Sequence, residues 1–83
     1  MKQFARSPKD IGQAIRQARK DKNLTQKDLA VKSGVWQETI SKVETGAAST
    51  KVETLFALLA ALDLELAVLP RSRGSQADLE DIF

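Results

Sequence analysis

The 83 residues include no cysteine and no histidine, so this one small domain has neither disulfides nor a thiolate- or imidazole-bound metal, leaving helix packing, oligomerisation or both to stabilise it. The same gaps remove Ser-His, Cys-His and zinc-water catalysis, so a protein without enzymatic activity or cofactor is expected. The net charge of +2 divides into 11 Lys+Arg against 5 Asp+Glu over residues 1–51, then 2 against 6 over residues 52–83, a basic body suited to phosphate followed by an acidic part.

Residues 1–7 form a short lead without an apolar signal region. No run approaches the ~18 apolar residues of a membrane span, and a cytoplasmic, nucleoid-associated protein is expected. Ser7-Pro8-Lys9-Asp10 opens the first helix with a capping Ser, a Pro at the first helical position and an acid three residues after the cap. Ile11, Ile15 and Ala18 follow at helical spacing, Arg16, Arg19, Lys20 and Lys22 occupy the later turns, and Asn23 closes a helix over 8–22. Thr25-Gln26-Lys27-Asp28 repeats the cap-then-acid form, and Ser33-Gly34 ends the second helix, Gly34 suiting the left-handed closing position. The third helix runs from Trp36 to Glu44, burying Val35, Ile40 and Val43, and ends at Gly46.

After a small-residue loop, a fourth helix is expected over about 51–62, capped by Ser49 or Thr50. Val52, Leu55, Phe56, Leu58, Leu59 and Leu62 surround much of its circumference, which predicts a central core helix. From Leu64 the apolar period drops to two, with Leu64, Leu66 and Val68 on one face, and Pro70 stops the run. A lone strand leaves its backbone unpaired. Its expected partner is its own copy in a second subunit, forming a two-fold ribbon; residues 2–6 are the alternative, and continued helix the plainest reading. Residues 71–83 read as a disordered tail. Its end mixes acids with Leu79, Ile82 and Phe83, which fits a docking motif, a degradation signal or a solvated end.

Two short helices joined by a tight Gly turn form a helix-turn-helix arrangement. Gly34 allows the sharp turn, Ala30 is small where the helices approach, and Ile40 and Val43 anchor the third helix. Its other face, with Gln37, Glu38, Ser41 and Lys42, is polar and free to reach bases.

Leu24-Thr25-Gln26-Lys27-Asp28-Leu29-Ala30, Ser33-Gly34-Val35 and Thr39-Ile40-Ser41-Lys42-Val43-Glu44-Thr45-Gly46 together resemble the Cro/C1-type (XRE) helix-turn-helix family. The resemblance implies a mainly all-α, compact, four- to five-helix lambda-repressor-like DNA-binding domain over residues 8–62. To it the strand at 63–70 is added for dimerisation.

Carried over by position, the resemblance gives Gln37 and Glu38 to base edges, Gln suiting adenine and Glu accepting from cytosine N4. Glu38 has a second reading, as a solvated acid that sharpens specificity by repelling phosphate. Ser41 and Lys42 would reach bases or phosphate. Gln26 would clamp a phosphate or only cap its helix, and Lys27, Thr39, Ser49 and Thr50 would hold the DNA backbone. Arg19 and Glu44 match a structural ion pair. Trp36 departs from the small or polar cap usual in the family. It either packs over Val35 or meets DNA, at a sugar or a thymine methyl.

The helical body followed by a strand is similar to HipB-type antitoxins. That resemblance implies a homodimer on palindromic double-stranded operator DNA, autoregulation and binding to a HipA-type kinase toxin. A stand-alone phage-type or metabolic repressor is the alternative, with a protein-interaction adaptor as a third reading.

Overall fold

A computed structural model describes residues 3–47 and 49–71. Four helices are present among them: α1 (Pro8–Asp21), α2 (Gln26–Ser33), α3 (Gln37–Glu44) and α4 (Val52–Ala61). Local chemistry sets their ends. The Ser7 hydroxyl accepts the Asp10 N–H at 3.1 Å at the start of α1, and Asn23 takes a left-handed conformation, φ 58°, just beyond its end. At α2 the Asp28 N–H donates to Thr25 Oγ1 at 3.0 Å while the Thr25 N–H donates to Asp28 Oδ2 at 2.9 Å. This reciprocal box satisfies two N–H groups that the helix cannot pair internally. Gly34, with φ 76°, closes α2 through its N–H to the Ala30 carbonyl at 2.9 Å.

The core is built from Ile15, Leu29, Ile40, Val43, Leu58 and Leu62, all buried. Thus α1 packs on α3, and α2 on both α3 and α4. Gly12 lies where α1 crosses α3. A Cβ there would overlap the Val43 carbonyl oxygen and stand 3.1 Å from that of Glu44. The close crossing therefore depends on the missing side chain.

Three expectations change. First, α4 is only partly a core helix, since Val52 is 66% and Phe56 51% exposed. With Ala60, also exposed, they form a stripe at spacing four on its outer side. Second, neither Ser49 nor Thr50 caps α4. Lys51 takes that position without a side-chain hydrogen bond, and the Thr50 hydroxyl donates to the Ala47 carbonyl at 3.2 Å. Third, the alternative partner for the expected strand is not used, since residues 3–6 and 64–70 are not paired as strands within the single chain. Leu64, Leu66, Val68 and Leu69 are exposed. Continued helix is excluded as well: Asp63 adopts φ 57°, which breaks the helical path immediately after Leu62. From residue 72 onward the tail expected over 71–83, including Phe83, lies outside the described residues.

Candidate nucleic-acid interface

The outer side of α3 is held in place from behind. Ile40 and Val43 are buried in the core, which turns Gln37, Glu38 and Lys42 to the exposed side. Ser41 and Thr39 are half-buried beside them. A shallow concavity gathers Gln26 from the start of α2 with Trp36, Gln37, Glu38, Thr39, Ser41 and Lys42. Of the residues assigned to DNA from the sequence, these seven come together. Lys27 is exposed on α2 but does not line the concavity. Ser49 is exposed in the α3–α4 loop, and Thr50 lines a separate hollow with Arg6, Ser7 and Leu55.

One buried carboxylate ties this face to the interior. Glu44 receives Arg19 Nε at 2.7 Å on Oε2 and Arg19 Nη2 at 3.0 Å on Oε1. The Arg19 side chain is 10% exposed and that of Glu44 3%. Arg19 Nη1 donates to the Leu24 carbonyl at 2.7 Å, fixing the α1–α2 link as well. The hydrogen bond and the charge of Glu44 raise the Arg19 pKa further, against the opposing effect of burial. Gln26 Nε2 donates to the same Glu44 Oε1 at 3.2 Å. An amide nitrogen has two protons, so one orients the Gln26 side chain on Glu44 and the second is not used in that bond. Gln26 therefore does not act as a cap, because Thr25 holds that position.

Trp36 occupies the N-cap position of α3 and makes no side-chain capping bond. Its side chain is not packed over Val35 as core; the residue is 83% exposed. Gly12, essential to the α1–α3 crossing, escapes the motif reading. Its available signal was a glycine inside an otherwise good helix, directly beside the apolar Ile11–Ile15 stripe. No helix of the described residues is long and apolar enough to cross a membrane.

Comparison with known proteins adds independent findings. A family model described as helix-turn-helix matches residues 15–69. The chain is 33% identical over 79 residues to the antitoxin HipB of Escherichia coli O6:H1, across 89% of this chain and 84% of HipB. Among solved structures, a HipB–O4 20mer complex superposes with a TM-score of 0.78 at 32% identity, covering 83% of this chain and 97% of the other. A HipA–HipB–O2–O3 complex gives a TM-score of 0.77 at 32% identity, again covering 83% and 97%.

Proposed function

The chain belongs to the Cro/C1-type helix-turn-helix family of DNA-binding regulators, and from that membership we propose an autoregulating repressor that binds a palindromic operator as a homodimer. We propose further that it acts as the HipB-like antitoxin of a toxin–antitoxin operon and binds a HipA-type kinase toxin. The observation that carries the DNA reading is the polar front of α3, clustered with Gln26 in one concavity and anchored from behind by Ile40 and Val43.

In this reading α3 lies in the major groove and α2 crosses the backbone. Gln37 and Glu38 face base edges, with Ser41 and Lys42 one turn further along. Gln26, oriented by Glu44, offers its second amide proton to a phosphate. Lys27, Thr39, Ser49 and Thr50 supply further backbone contacts. The solved complexes of HipB with a 20mer and with HipA support extending both kinds of partner to this chain.

The dimer reading draws on the exposed Val52–Phe56 stripe and on Leu64, Leu66 and Val68. Left in water these side chains are unfavourable by about 25 cal/mol per Å² of apolar surface. A second copy covering them, with residues 63–70 paired as antiparallel strands, would also pair the backbone. Two reading helices about 34 Å apart would then enter successive major grooves.

The test is a duplex carrying the chain's own upstream region. Specific binding with a half-site spacing of one turn is expected, with affinity falling linearly in log salt as counterions are released. Changing Gln37 and Ser41 together to Ala should remove sequence preference with the fold intact. Unchanged preference in that variant overturns the assignment of α3. Truncation after Leu62 should leave a mostly monomeric body, and a stable dimer would refute the strand pairing. Co-purification with the product of an adjacent kinase-like reading frame tests the antitoxin role.

A further inference from the structure

We infer that Trp36 is a specificity-determining residue whose indole packs against the C5-methyl group of a thymine in the operator. The inference rests on the DNA-reading role proposed for α3 and adds one base determinant to it.

Three observations lead there. Trp36 is 83% exposed, although it is among the largest apolar side chains in the chain. It stands at the N-cap of α3, a position where Ser, Thr, Asp or Asn would stabilise the helix and where the indole makes no capping bond. It shares its concavity with polar or charged neighbours, Gln26, Gln37, Thr39, Ser41 and Lys42 among them. An indole placed at the front of a reading helix, away from the core and at the expense of a cap, needs an apolar group that arrives with the ligand.

The major groove supplies such a group. Each base pair there presents donors and acceptors, and only thymine adds a methyl. Indole has a single N–H and no acceptor, so it cannot make the paired hydrogen bonds by which Gln or Arg identifies a base. Its apolar surface matches the methyl instead. Residues at the N-terminal end of a recognition helix contact base edges. Gln37, the next residue, suits adenine, which places the thymine read by Trp36 beside the base read by Gln37.

The experiment starts from the duplex that the wild-type chain selects out of a random-sequence pool. Its thymines are replaced one at a time by uracil, which removes the methyl alone. One thymine per half-site should weaken wild-type binding about 4-fold on replacement, the effect of about one buried methyl group. Trp36→Ala should bind the thymine and uracil duplexes equally, and Trp36→Phe should keep part of the discrimination. Circular dichroism of both variants verifies the fold. If Trp36→Ala loses affinity uniformly and keeps the wild-type thymine preference, the indole contacts the backbone and the inference is overturned. If the wild-type chain selects a sequence but no uracil weakens it, this inference alone fails. If it selects no sequence at all, the reading of α3 fails and this inference falls with it.

Discussion

Arg19 on α1 and Glu44 at the end of α3 meet in two hydrogen bonds, Nε to Oε2 at 2.7 Å and Nη2 to Oε1 at 3.0 Å. The two helices also cross closely at Gly12, so the pair locks a junction that apolar packing has already formed. Breaking it from one side leaves a buried charge without its partner. Glu44→Gln should destabilise the fold by about 3–5 kcal/mol, measured by urea unfolding. Replacing both residues with apolar side chains of similar volume should recover much of that loss. A single variant as stable as the wild type would remove the pair from the account of the fold.

Gly12→Ala should run against the usual helix rule. In an exposed helix interior this change stabilises by up to about 1 kcal/mol. Here the new methyl would overlap the Val43 backbone carbonyl, which cannot swing aside as a side chain does. Destabilisation by about 1–3 kcal/mol or more is expected. Each kcal/mol corresponds to about 4–8 °C in Tm for a domain of this size, so a thermal melt reads it directly.

Trp36→Ser should separate stability from reading. Serine at the N-cap can accept an N–H from the first turn of α3, a gain of about 0.5–2 kcal/mol. The variant should melt higher than the wild type and lose thymine-over-uracil discrimination. A lower melting point would mean that the indole stabilises the folded chain despite its exposure.

Asp28 carries the acid dependence of α2. The Thr25 N–H, followed by the Thr25 hydroxyl, holds the Asp28 carboxyl below its ordinary range. Its folded pKa is therefore lower than its unfolded value of about 3.9. The contribution to stability is fully present above that value and is lost as pH falls through the folded pKa. Below about pH 4 the wild type should lose stability more steeply than Asp28→Asn, as followed by unfolding at a series of pH values. Parallel curves would exclude this carboxylate as a source of acid sensitivity.

Local signals proved the most legible in the sequence. Ser7, Thr25 and Gly34 each act through bonds within a few residues, and the helix ends lie close to where those residues stand. The apolar positions of α1 and α3 also read directly, because each helix has one apolar side. The outer side of α4 did not read. Val52 and Phe56 are as apolar as Leu58 and Leu62, and composition alone does not distinguish a side covered by the same chain from one left open. The α4 cap was missed because the helix begins one residue later than the capping side chain suggests: Lys51, not Thr50, holds the N-cap position. The concavity depends on tertiary placement too, since Gln26 lies ten residues before Trp36 and joins it only once α2 and α3 pack.

The hydrogen bond from Gln26 to Glu44 has a thermodynamic consequence for binding. A free glutamine side chain samples many rotamers, and fixing such a chain at an interface costs about 0.5–1.5 kcal/mol. In this protein the ordering takes place when the domain folds, around a carboxylate that Arg19 has already immobilised. In the proposed phosphate contact, a ligand arriving at the start of α2 would meet a side chain already held by Glu44, and the entropy of ordering it would be charged to folding instead of to association.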